Sequence, residues 1–190
     1  MYNPAAIMLA NLRALFGAMV DIVLLRRGPE QLPVSSALLY TVVALSIITS
    51  CFFVLVTPVT LPLALAQGVV SAAVMLLWFR TALRIANKSE RFLQTMTAIF
   101  GVNVLFVPVM VPLYGAMLPY IEKANPANPP PAALLIITLM FGLWALWIEM
   151  RIVRAAFECP WIGALLIVIG EFFASGLVLM MLFGGPQAST

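Results

Sequence analysis

The residue with the clearest chemical potential is Glu171, an acid in the middle of the apolar run 161–184. About 20 apolar residues cross the ~30 Å hydrocarbon core of a bilayer, so this run is long enough to span a membrane. An ionised acid at the centre of a span is costly, and such residues often mark functional sites. No basic residue lies at that depth, so we expect Glu171 to be neutral or to be solvated by Asn103 and Gln67.

The other four apolar runs each place a polar side chain near their centre. At ~1.5 Å per residue, these side chains lie about as deep as Glu171. The predicted polar layer around Glu171 also contains Asn103, Gln67, Ser50 and Thr49, with Thr138 at a similar depth. Three interpretations of Glu171 stay open: a proton or cation site in a carrier, a polar contact between helices of this chain, and a contact to a helix of a partner protein.

No catalytic or metal-binding pattern is present in the sequence. It contains no histidine, and neither a phosphate-binding loop nor a nucleophile elbow occurs in it. Cys51 and Cys159 lack the basic neighbours of an active thiolate, so we interpret both as free thiols. We therefore expect a protein without enzymatic activity, cofactor or metal.

Small residues in two of the apolar runs predict close helix packing. They are Gly163, Gly170 and Ala174 in the last run, and Gly68 and Ala72 in an earlier one. The spacings Gly170-x-x-x-Ala174 and Gly68-x-x-x-Ala72 allow two helix backbones to approach closely. The simplest expectation is packing within one bundle.

The composition indicates a membrane protein. Of the 190 residues, 64% are hydrophobic and 9% are charged, whereas soluble domains carry about 25% charged residues. Long apolar runs without strand-like alternation predict helices, because only helices and closed barrels span lipid. The sequence predicts an all-α integral membrane helical bundle in one domain, 1–190, with five spans at about 37–56, 59–79, 93–118, 133–150 and 161–184.

The N-terminal stretch 5–25 has an amphipathic pattern. Arg13 and Asp21 fall on its small-residue side, opposite Phe16 and Met19. Two charges inside a span would be unfavourable, so we predict an amphipathic helix in the membrane interface. A sixth span is the alternative.

Local signals predict how individual spans begin and bend. Ser35 or Ser36 is the expected N-cap of the first span, because a hydroxyl there accepts a hydrogen bond from a first-turn amide. Pro108 and Pro112 each remove a backbone hydrogen bond, so the third span is expected to be kinked or broken.

The basic residues predict orientation. Only Lys123, of the ten Lys and Arg residues, falls on the far side from the others. The positive-inside rule then predicts a cytoplasmic N-terminus and an outside C-terminus, in our interpretation in a bacterial inner membrane. The connections carry Arg26, Arg27, Arg80, Arg84, Lys88, Arg91, Arg151 and Arg154, which we expect to contact anionic lipid headgroups rather than nucleic acid.

Glu149, Arg151, Arg154 and Glu158 form a cluster at the inner membrane boundary between the fourth and fifth spans. Arg154 and Glu158 are four residues apart and could pair on a helix. Binding of a cytoplasmic partner by this cluster is the alternative to lipid contact.

The layout of the chain resembles that of the bacterial Yip1-like five-span inner-membrane proteins: a cytoplasmic N-terminal segment, five spans that end outside, and before the first span the element G-P-x-x-L-P, formed by Gly28, Pro29, Leu32 and Pro33. The resemblance implies a non-enzymatic membrane organiser or adaptor. The leading expectation is therefore an accessory or structural subunit that contacts partner membrane proteins, or further copies of itself, through its helices. The alternative is a small transporter or channel component that uses the polar layer around Glu171.

Overall fold

The computed structural model describes Gly17 and residues 19–23, 28–122 and 129–184. These residues form helices and turns without a strand, which confirms the predicted all-α class. The five long helices are α1 (Ser36–Ser50), α2 (Leu61–Ile85), α3 (Phe92–Glu122), α4 (Ala132–Phe157) and α5 (Trp161–Phe183). A 3₁₀ segment, Cys51–Leu55, extends α1, and the five segments are each long and apolar enough to cross a membrane.

The predicted interfacial helix at 5–25 lies mostly outside the described residues. Gly17 and residues 19–23 are helical. Met19 and Ile22 are buried. The side chain of Met19 lies against Gly101 on α3, and a Cβ atom added at Gly101 would be 2.5 Å from the Cε atom of Met19. The described part of this segment therefore packs against the bundle through its apolar side.

The helix ends follow from local chemistry. The Ser35 hydroxyl accepts a hydrogen bond from the Leu38 amide at 3.3 Å, so Ser35 is the N-cap of α1, one of the two residues predicted. Pro62 lies in the first turn of α2, where amides have no intrahelical partner. α2 continues to Ile85 and α4 to Phe157, both beyond the expected ends of their spans at 79 and 150.

The central helix of the bundle is α3. In the most apolar 18-residue stretch of this segment, half of the residues are buried within the protein. In each of the other four segments, the corresponding share is 11%. α3 runs unbroken through Pro108, Pro112 and Pro119, so the alternative of a broken third span was wrong. Prolines are tolerated in membrane helices because neighbouring groups satisfy the freed backbone carbonyls.

The other helices surround α3 in a defined order. α3 packs mainly against α1 and α4, while α5 packs against α2 and α4. The buried core includes Phe79, Phe100, Ile148 and Ile152.

We call one end of the bundle the basic end: there α1 begins, α2 is connected to α3, and α4 is connected to α5. Among the described residues, Lys and Arg side chains occur only near this end, at Arg80, Arg84, Lys88, Arg91, Arg151 and Arg154.

Candidate functional site: a polar cavity between α1, α3 and α4

A cavity of about 280 Å³ lies between α1, α3 and α4. Its polar lining comes from Ser46 and Ser50 on α1, Asn103 on α3 and Glu149 on α4. α4 ends at Phe157, so Glu149 lies about 12 Å inside the helix at ~1.5 Å per residue. The cavity lies between three packed helices and contains a carboxyl group, an amide and two hydroxyls.

Glu149 has no hydrogen bond or ion pair with any described residue. Its one electrostatic interaction is with another acid, Glu171 on α5. A carboxyl group in an apolar interior normally has a hydrogen-bond donor or a cation as its partner. Glu149 instead lines the cavity, where its oxygens are available to a ligand.

Glu171 has a different environment. It is only 6% exposed, and its carboxylate accepts a hydrogen bond from the Ser175 hydroxyl, one turn further along α5, at 2.7 Å. Neither Asn103 nor Gln67 donates to it, so the predicted solvation by these two side chains was wrong. Glu171 does not line the cavity, and its effect on Glu149 is electrostatic.

Only part of the predicted polar layer lines the cavity. Ser50 and Asn103 do, whereas Gln67, Thr49 and Thr138 do not. The hydroxyl of Ser50 donates to the Ile47 carbonyl at 2.7 Å, and that of Thr49 donates to the Ser46 carbonyl at 3.0 Å. Thr138 has a buried hydroxyl without a partner among the described residues.

Glu149 was not included in the predicted layer. The sequence placed it at the membrane boundary, because the fourth span was expected to end near residue 150. The signal that could have corrected this is Pro160, which ends the connection between α4 and α5. Counting back from Pro160 places Glu149 within α4 and not at its end.

The predicted small residues have unequal roles in packing. Gly170 lies under the ring of Trp78 on α2, whose Cζ2 would be 2.7 Å from a Cβ at Gly170. Gly68 lies beside Ser50, whose Oγ would be 2.6 Å from a Cβ at Gly68.

The remaining three small residues do not mark such close approaches. Ala72 is buried in the core, and Ala174 is half-buried. A Cβ at Gly163 would make only ordinary contacts, at 3.4 Å, with Cys159 in the preceding turn. Close packing therefore depends on Gly68 and Gly170.

The two connections at the basic end are joined by Glu158. Its carboxylate accepts hydrogen bonds from Lys88 and Arg91, and these bonds hold its pKa below the ordinary value of 4.5. Arg91 also donates to the Ala155 carbonyl at 2.7 Å, which satisfies an acceptor at the C-terminus of α4.

Arg154 does not form the expected pair with Glu158. Its guanidinium instead lies 4.7 Å from the centre of the Trp161 ring. Arg80 and Arg84 are exposed on α2, and Arg26 and Arg27 lie outside the described residues. Lys88 and Arg91 therefore form the connection to Glu158, whereas Arg80, Arg84 and Arg154 are exposed.

The described residues contain no cluster of three or more His, Cys, Asp or Glu side chains that could hold a metal ion. Cys51 and Cys159 are free thiols. No family model, no curated protein and no solved structure matches this chain significantly.

Proposed function

We propose that the protein binds a proton or a small monovalent cation at Glu149 and is a small carrier or channel component of its membrane. The observation that supports this most directly is the position of the Glu149 carboxyl group. It lines a cavity between α1, α3 and α4 and has no hydrogen bond or ion pair among the described residues.

The chemistry of the lining agrees with such a ligand. Asn103, Ser46 and Ser50 contribute oxygen atoms beside the Glu149 carboxyl group, and carboxylate, amide and hydroxyl oxygens suit hard cations. Glu171 adds a second carboxyl group that interacts with the first. Two like charges in an apolar environment repel each other, so a proton or cation bound by Glu149 would relieve the repulsion.

The orientation of the protein in the membrane follows from the positive-inside rule. We place the basic end in the cytoplasm, in a bacterial inner membrane, since the Lys and Arg residues of the described part are concentrated there. The cavity would then lie between the cytoplasmic surface and the middle of the bilayer.

Flux through liposomes tests the proposal. Purified protein is reconstituted with a pH-sensitive or cation-sensitive dye inside, and a gradient is applied. We expect wild-type flux, and for Glu149→Gln a flux equal to that of empty liposomes, because the amide keeps the shape but removes the charge. The matched control is Glu90→Gln, which makes the same change at an exposed acid near the basic end. Wild-type flux in Glu149→Gln would contradict the proposal.

A second candidate function is the accessory subunit with Yip1-like character. Gly142 on α4 and Gly176 on α5 are exposed, and a Cβ at either would meet no atom within 4 Å. The described bundle does not use these small residues for its own packing, so they offer places where a helix of another chain could approach closely. The exposed, unpacked positions of Gly142 and Gly176 are the observation that favours this candidate.

Copurification tests the second candidate. Native membranes are extracted in mild detergent, and the purified material is analysed by mass spectrometry for the wild type, Gly142→Ile and Gly176→Ile. A stoichiometric partner that is lost in one of the two variants would support an accessory role. A protein that purifies alone at every detergent concentration would contradict it.

A further inference from the structure

Arg154 is an exposed cation at the basic end with an unusual set of neighbours. Its guanidinium lies over the ring of Trp161, 4.7 Å from the centre. The acid one turn away, Glu158, is bound by Lys88 and Arg91 instead. The five N–H donors of Arg154 therefore have no acceptor among the described residues and remain available to a ligand.

The aromatic residues indicate the depth of Arg154 in the membrane. Trp161 stacks on Trp147, with ring centres 4.6 Å apart and planes inclined by 16°. Tryptophan is enriched at the level of the lipid headgroups, where its ring contacts the acyl chains and its N–H contacts water. A guanidinium held on such a pair lies at the level of the lipid phosphates.

A cavity of about 390 Å³ lies beside this pair of rings. It is lined by Arg151, Arg154, Ala155, Glu158 and Cys159. The carboxylate of Glu158 is the only acid in the lining, and Lys88 and Arg91 already offset its charge. The surroundings of the cavity are therefore positive, and the cavity is large enough for a phosphate group.

We propose that this cavity binds the phosphate group of an anionic phospholipid, with Arg154 as the principal ligand. The planar guanidinium donates two parallel hydrogen bonds to phosphate oxygens, and Trp161 fixes its orientation before the lipid arrives. This site is separate from the cavity at Glu149 and does not depend on the function proposed for it.

Native mass spectrometry of the whole protein in mild detergent tests the site. Phosphatidylglycerol, phosphatidylcholine and inorganic phosphate are added in separate titrations. We expect one tightly bound phosphatidylglycerol per chain, and binding about tenfold weaker in Arg154→Gln because a charge-assisted contact is lost. The matched control is Arg80→Gln, which removes an exposed arginine of α2 that does not line the cavity.

Three results would overturn the proposal. Unchanged binding in Arg154→Gln would exclude this arginine as the ligand. An equal loss in Arg80→Gln would mean that diffuse positive charge attracts the lipid. Displacement of phosphatidylglycerol by millimolar inorganic phosphate would identify a site for the free ion instead of the lipid.

A second measurement avoids any change at Arg154. Cys159 lines the same cavity and is half-buried. This burial raises the pKa of its thiol. In a Cys51→Ser background, Cys159 is the only thiol, since the chain has two cysteines. We expect vesicles that contain phosphatidylglycerol to slow maleimide labelling of Cys159 relative to vesicles of phosphatidylcholine alone. Equal labelling rates in the two kinds of vesicle would contradict the proposal.

Discussion

The indole ring of Trp78 lies directly against Gly170, at a distance that leaves no room for a Cβ atom there. The same indole N–H donates a hydrogen bond to the Ile167 carbonyl of α5 at 3.2 Å. A backbone carbonyl that accepts a bond from another helix stabilises the contact between α2 and α5, and only glycine at position 170 permits that approach.

Replacing Gly170 by alanine is expected to destabilise the bundle. The new Cβ would lie 2.7 Å from the Trp78 ring, so the ring or α5 must shift. Gly176→Ala is the matched control, because its Cβ would meet open space. We expect Gly170→Ala to be less stable than Gly176→Ala by about 1–3 kcal/mol, measured by thermal unfolding in detergent. Equal stability of the two variants would contradict the packing described.

The hydrogen bond from Ser175 to Glu171 is expected to contribute to stability. Ser175→Ala leaves a buried carboxyl group without its donor, at a cost of about 1–3 kcal/mol. In a double-mutant cycle with Glu171→Leu, the serine change should cost much less, because the acceptor is gone. Unfolding in detergent measures the four free energies, and additive effects would show that the two side chains are not coupled.

The pairing of Glu158 with Lys88 and Arg91 predicts a dependence of stability on pH. These partners lower the pKa of Glu158 in the folded protein, so their contribution is fully present above the unfolded value of about 4.5 and is lost as the pH falls through the lower folded value. The difference in melting temperature between wild type and Glu158→Gln should therefore disappear in strong acid. The matched control is Glu90→Gln, the same change at an exposed acid of the neighbouring turn.

Gln94 is expected to hold the segment before α1 on the bundle. Its side-chain amide donates to the carbonyls of Glu30 and Leu32, at 3.2 and 2.9 Å. Gln94→Ala removes both bonds, so limited proteolysis at residues 28–35 should become faster. The matched control is Gln31→Ala, which changes an exposed glutamine of the segment itself. Equal cleavage of both variants would contradict the role of Gln94.

The helical architecture could be predicted because it depends on local properties of the chain. Hydropathy identified five apolar segments, and the Ser35 hydroxyl acts on its own first turn. The end of α4 was less predictable, because a membrane helix can continue beyond the apolar run. α4 ends at Phe157 and not near residue 150, so Glu149 lies within the helix and lines the cavity.

Side-chain partners were harder to predict, because they depend on how distant segments meet. Glu158 has a basic neighbour one turn away in Arg154, yet it binds Lys88 and Arg91, which are 70 and 67 residues away in the sequence. Arg154 in turn contacts Trp161. Helical spacing predicts which side chains could pair, whereas the packing of the two connections determines which of them do.

The central position of α3 has a consequence for biosynthesis. α1 packs more extensively against α3 than against its neighbour in sequence, α2. During synthesis, α1 and α2 therefore enter the lipid before the principal partner of α1 has left the ribosome. The early hairpin of α1 and α2 is therefore an incomplete intermediate. In a chain truncated before residue 92, the surface of α1 that α3 covers in the finished protein would be exposed to lipid or to quality-control proteases.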